Sequence, residues 1–202
     1  LPTSSDNTVT ATEDTPFVFA VEDFGFVDVD VTTQPEDTFG TITTLVSTGK
    51  LELNGVEVTI GQDISYDDIL AGTLTFTPLK DGNGVSYDSF EFTVNDGIAD
   101  SLVPSTLTID VTAVNDLPTA TDTTVTATED TTFVFAVADF GFADVETDQL
   151  QSITITTLNS TGTLVLDGSA VTIGQTISQS DIVGGALTFT PLANDNGAGY
   201  DS

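Results

Sequence analysis

The chain has 202 residues, 32 Asp and Glu against two Lys, no Arg, no His, no Cys and a formal net charge of −30. That balance excludes nucleic-acid phosphates as partners, because they are bound through Lys and Arg, and disfavours docking on an anionic membrane. It also removes the usual nucleophile–base pairs, disulfides and thiolate metal sites, while a hydrophobic fraction of 39% is too high for plain disorder.

Taken in order, the residues read as strands. Phe17, Phe19 and Val21 alternate with Val18 and Ala20, and Leu51 and Leu53 with Lys50 and Glu52. Phe90, Phe92 and Val94 alternate with Ser89, Glu91 and Thr93, and Leu107, Ile109 and Val111 with Thr and Asp. Period two with Thr, Val, Ile and Phe signals half-buried strands. The pattern predicts strands near residues 7–12, 16–21, 40–46, 50–53, 56–60, 73–77, 88–95 and 104–113. Asn54-Gly55 and Asp167-Gly168 fall between such runs and favour type I′ hairpin turns. Residues 65–70 and 178–183 suit one helical turn each, and Gly82-Asn83-Gly84 and Asp195-Asn196-Gly197 a loop. No apolar run approaches the roughly 20 residues of a membrane helix, so membrane insertion is not expected.

The text is written twice. Thr8-Val9-Thr10-Ala11-Thr12-Glu13-Asp14-Thr15 and Phe17 to Val21 recur 116 residues later as residues 124–131 and 133–137. Thr59-Ile60-Gly61-Gln62 and residues 74–79 recur 113 residues later, which places a three-residue deletion near residues 31–39. A unit of this length buries its own core, so the expectation is beads in an array and not a stacked solenoid. The domains expected are a first repeat over 1–116 and a second over 117–202, joined near Asn115-Asp116 and Pro118. Tyr200-Asp201-Ser202 matches Tyr87-Asp88-Ser89, so the second repeat is expected to lack its last two strands, and the chain reads as an excerpt of a longer protein. Short strands with frequent turn signals argue for two-sheet sandwiches.

Catalysis is not expected. Carboxylates are so plentiful that any pair is weak evidence for a glycosidase-type site, and they recur in both repeats. Two readings of the charge stand: a solvated acidic surface, or carboxylates that ligate a hard cation such as Ca²⁺, which takes six to eight oxygens. Loop-type calcium motifs of the Asp-x-Asp-x-Asp-Gly kind and Gly-rich nonapeptides are absent.

A different pattern is present. Residues 106–118 form a strand that runs into Val114-Asn115-Asp116-Leu117-Pro118, and residues 90–97 end in Asn95-Asp96-Gly97. With the Glu13-Asp14-Thr15 opening, the unit resembles the cadherin-like (Ig-like) tandem repeats of large bacterial surface adhesins. The resemblance implies an all-β fold of Greek-key sandwich domains, beads on a string, with Ca²⁺ at the joints between neighbouring repeats. It implies Glu13, Asp110, Asn115 and Asp116 as ligands at the joint after the first repeat, with Asp144 and Glu146 from the following one. Asp28, Asp30 and Asp96 would serve a joint before the first repeat, and Glu129 is the second-repeat counterpart of Glu13. Asp81 and Asp88 are further candidates for the family's mid-domain acidic motif. The family's Asp-Arg-Glu is absent, and Glu146 stands where the family has Asp.

The function expected on this basis is a rigid, calcium-stiffened spacer in an extracellular bacterial adhesin or filament, serving adhesion or biofilm. Its partners would be neighbouring repeats and like chains in a matrix. Two alternatives stand beside it. One is a self-assembling fibre subunit joined by strand donation. The other is a carbohydrate-binding module, for which three Tyr and no Trp are poor provision.

Overall fold

Alternating Thr, Val, Ile and Phe extend the backbone and turn one side chain in two inward, and the result is all-β. In a computed structural model the described residues are 1–28, 39–158 and 161–201. They form two compact units, Leu1–Val114 and Asn115–Ser202. Several sheets and a few single-turn helices make an architecture consistent with a β-sandwich.

The first unit contains β1 (Asn7–Thr12), β2 (Phe17–Val18), β3 (Gly40–Ile42), β4 (Lys50–Leu53), β5 (Val56–Glu57), β6 (Asp63–Ile64), β7 (Leu74–Thr77), β8 (Gly84–Val94) and β9 (Ser105–Thr112). One sheet has the order β1-β9-β8-β3-β6, the other β2-β7-β4-β5. All pairings are antiparallel except β1 with β9, which run parallel from Asn7 opposite Leu107 to Thr12 opposite Thr112.

Several strands differ from the sequence pattern for local reasons. The run expected over 16–21 ends at Val18, and Val21–Phe24 forms a 3₁₀ turn instead. The Asp23 carboxylate accepts the Ala20 N–H at 2.8 Å, and Gly25 closes the turn with φ of 55°. The strand expected over 40–46 stops at Ile42, because the N–H groups of both Thr43 and Thr44 turn to the one carbonyl of Glu91. β8 begins earlier than its hydrophobic alternation, and a register shift interrupts it between Gly84 and Asp88. The Asn54-Gly55 and Asp167-Gly168 turns have positive φ at both residues, as type I′ requires. Helix α1 (Tyr66–Leu70) starts at Ser65, whose hydroxyl accepts the Asp68 N–H while Asp68 accepts in return, a capping box. The Ser65 hydroxyl holds the Asp68 carboxyl below its ordinary range.

The core of the first unit is aromatic. Phe24 packs against Phe39 at 4.9 Å, Phe92 at 5.0 Å, Phe19 at 5.8 Å and Phe90 at 6.4 Å between ring centroids. Val94, Leu107, Ile109 and Val111 are buried beside them, so the alternation read in the sequence marks the inward face.

Gly49 sits flat under the Phe76 ring, and its repeat Gly162 under Phe189; a Cβ at either would overlap the ring. By contrast, nothing lies near a Cβ on Gly55. Gly49→Ala is therefore expected to cost about 1–3 kcal/mol by overpacking. Gly55→Ala is expected to cost about 1–2 kcal/mol, from left-handed backbone alone. Urea unfolding of the two variants checks the order.

The second unit contains β10 (Thr119–Ala120), β11 (Phe133–Val134), β12 (Phe142–Ala143), β13 (Ser152–Thr154), β14 (Thr163–Leu166), β15 (Ser169–Ala170), β16 (Thr176–Ser178) and β17 (Leu187–Thr190), with helix α2 (Gln179–Val183). Its four-stranded sheet, β11-β17-β14-β15, copies β2-β7-β4-β5 down to the pairing of Phe133 with Phe189, as Phe17 pairs with Phe76. β10 pairs with β12, and β13 with β16.

Candidate functional site

In the first unit β1 and β9 run the same way and β8 runs against them. Glu13, after β1, and Val114, after β9, therefore share one end. Asp96, after β8, lies at the other, where the bridge between Thr3 and Val27 also places Asp28.

At the end shared with the chain start, the Asp28 and Asp96 carboxyl groups are neighbours. The N–H groups of Ala99 and Ile98 donate to Asp96 Oδ1 at 2.7 and 2.8 Å. These two backbone donors hold the Asp96 carboxyl below its usual range. Asp28 Oδ2 is buried. Asp30 lies outside the described residues.

At the other end Glu13 is 1% exposed. Its Oε1 accepts the Val114 N–H at 2.6 Å and its Oε2 the Asn83 amide at 2.7 Å. Next to it Asp14 adopts φ of 56° and accepts the Asp81 N–H at 3.0 Å. Carboxylate oxygens of Asp14 and Asp81 lie within 4.8 Å of each other. Lys80 bridges to Asp81 at 2.5 Å, a surface pair of small worth.

The second unit repeats part of this. Glu129 accepts the Asn196 amide at 3.0 Å and Asp130 the Asn194 N–H at 3.1 Å. At its N-terminal end the Asp116 N–H donates to Glu146 Oε2 at 3.2 Å, and carboxylate oxygens of the two residues lie within 4.8 Å. Asp116 Oδ2 and Glu146 Oε1 are buried, and Glu146 Oε1 accepts no hydrogen bond. A buried carboxylate oxygen in that state fits a cation ligand.

The remaining candidates, Asp110, Asp144 and Asn115, each make a local hydrogen bond. Asp110 accepts the Ser86 N–H at 2.7 Å and so secures the irregular start of β8. Asp144 accepts the Asp148 N–H at 3.0 Å and closes a turn. The Asn115 amide donates to the Asp116 carbonyl at 2.7 Å.

Asp88 has no oxygen to spare for a metal. Its Oδ1 accepts from the Ser47 and Ser89 N–H groups and its Oδ2 from those of Thr48 and Gly49, at 2.8 to 2.9 Å. Burial pushes this carboxyl up, but the four backbone donors outweigh it and hold it below the usual carboxylate range. In the second unit Asp201 accepts the Thr161 and Gly162 N–H groups at 3.0 and 2.9 Å. Tyr87 and Tyr200 accept the Leu79 and Leu192 N–H groups at 3.2 and 3.1 Å. The recurring Tyr-Asp pair is thus a structural clamp. Sequence reading did not single out Asn83 and Asn196 as partners of the buried or repeated Glu; their signal was the loop Asn at equivalent places in both repeats.

No family model matches the chain, and no solved structure matches it. The cadherin-like resemblance therefore rests on the quoted motifs. The chain is 32% identical over 145 residues, 72% of its length, to integrin beta-like protein E of Dictyostelium discoideum. The matched stretch is 7% of that relative. Among the described residues, no helix is long and apolar enough to cross a membrane.

Proposed function

We propose that the chain is a structural segment of an extracellular, adhesion-related protein, of the kind found in large bacterial adhesins. In this reading its units are spacers whose joints are stiffened by Ca²⁺. The observation that carries it is the collection of carboxylates at unit ends: Glu13 on the amide of Val114, and Asp116 with Glu146 at the start of the second unit. Val114 closes one unit and Asn115 opens the next, so a single residue of chain separates Val114 from Asp116. Similarity to an integrin beta-like protein supports an adhesion-related, extracellular setting.

The donor chemistry is that of a hard cation: carboxylate and amide oxygens, with no nitrogen or sulfur ligand. Carboxylates crowded at a joint repel one another, and a bound divalent ion reverses the sign of that interaction. Ligand that binds only the folded state stabilises it by mass action, about 2.7 kcal/mol at a hundredfold excess over Kd. Calorimetric unfolding of the whole chain in millimolar Ca²⁺ and in chelator tests this. The expected result is a melting temperature higher by about 5–15 °C in Ca²⁺. Asp116→Ala with Glu146→Ala removes most of the rise, and Glu13→Gln reduces it. Equal melting with Ca²⁺ and with chelator, and no heat on titration, would overturn the reading.

A further inference from the structure

Asn is followed by Gly at three places, Asn54-Gly55, Asn83-Gly84 and Asn196-Gly197. That dipeptide carries a reaction of its own. With no side chain on the glycine to obstruct the approach, its backbone nitrogen attacks the asparagine Cγ. The new C–N bond closes a succinimide. The side-chain nitrogen leaves as ammonia and takes the glycine N–H proton with it. Water then opens the ring to Asp or iso-Asp. Nothing is oxidised or reduced, water is the one co-reactant, and the net change replaces an amide by a carboxylate.

What the change does depends on where the amide points. Asn54 is exposed and begins a type I′ turn; the second unit has Asp at that place, and Asp167-Gly168 makes the same turn with φ of 51° and 77°. An acid is tolerated there. Asn83 is different. It too is exposed, and nothing lies near a Cβ on Gly84, so the dipeptide is open to water. Its amide, however, donates to Glu13 Oε2 at 2.7 Å, and Glu13 is 1% exposed. The arrangement recurs: Asn196 donates to Glu129 Oε2 at 3.0 Å. Both units therefore aim an Asn-Gly amide at the glutamate of the Thr-Glu-Asp-Thr motif.

We infer that Asn83 is a self-modification site, at which loss of the amide turns the Asn83–Glu13 hydrogen bond into a pair of facing carboxylates. Without a bound cation the change removes the donor to a buried acceptor and sets two like charges at hydrogen-bond distance. With a divalent cation present the same change adds an anionic oxygen ligand, and the affinity of such sites follows the charge of their ligands. The modified first unit is less stable alone and more dependent on the cation. Tighter cation binding rests on the cation reading; the loss of stability without a cation does not.

The test ages the full 202-residue chain in warm, mildly alkaline buffer with chelator and maps its peptides by mass spectrometry. Asn83 is expected to convert to Asp and iso-Asp, while Asn7, Asn95 and Asn115, which no Gly follows, convert far more slowly. In chelator, Asn83→Asp is expected to melt about 5–10 °C below the natural chain, and Asn54→Asp within about 2 °C of it. Where Asn83→Asp does not fold, the converted fraction of the aged chain, separated by charge, gives the same comparison. Titrated with calcium chloride, Asn83→Asp is expected to bind about tenfold tighter than the natural chain. Asn83 left intact in a chain whose Asn54 has converted would overturn the inference. So would Asn83→Asp melting with the natural chain in chelator. Equal calcium affinity of the two chains would overturn its cation half. No calcium binding by either chain, with Asn83→Asp still the less stable, would overturn the cation reading and leave the modification site standing.

Discussion

Replacing Asp88 by Ala is expected to destabilise the first unit by about 3–5 kcal/mol, because it leaves several buried N–H groups without an acceptor. The residue is 5% exposed and collects the backbone donors of Ser47, Thr48, Gly49 and Ser89. The effect has a pH signature with a fixed sign. The folded-state carboxyl titrates below the ordinary value of 3.8. Its contribution is therefore complete above the unfolded-state value and is lost as pH falls through the folded one. Asp68 and Asp96 are shifted the same way and add to the same acid limb. Urea unfolding at pH 7 and at points below about pH 4 is the check. The natural chain should lose stability on acidification, and Asp88→Asn should flatten part of that loss. A variant that unfolds like the natural chain at pH 7 would show that the clamp holds nothing.

Phe24→Ala is expected to cost about 3–5 kcal/mol, the range for emptying a buried aromatic site. Its ring is 2% exposed and meets Phe19, Phe39, Phe90 and Phe92. Phe140 occupies the same place in the same Asp-Phe-Gly-Phe motif of the second unit, but is only partly buried and packs against Phe135. Phe140→Ala should therefore cost clearly less. Because two units can unfold separately, one midpoint is not enough; residue-resolved hydrogen exchange reads each unit by itself. Equal costs at the two positions would mean that burial is not what separates them.

Much of the fold is legible in the residues. Alternation marks the inward faces of β4, β8 and β9, because one buried face leaves a period of two in the text. Asn54-Gly55 and Asp167-Gly168 mark their hairpins, because few residues accept two positive φ angles in succession. The recurring text marks the second unit's four-stranded sheet. The acidic candidates are less legible. A carboxylate is written the same way whether it clamps a bulge, as Asp110 does, closes a turn, as Asp144 does, or gathers with another acid, as Asp28 and Asp96 do. Only the strand order says which ends meet.

The all-β character, the tight turns and the single helical turns rest on residues close together in the chain, and the repeat on comparing the letters alone, so the letters are enough for them. What identical letters become is a matter of distant partners. Thr-Val-Thr-Ala-Thr is a strand at 8–12 and irregular at 124–128. A strand has no hydrogen bonds of its own, and β1 takes its bonds from β9, about a hundred residues away.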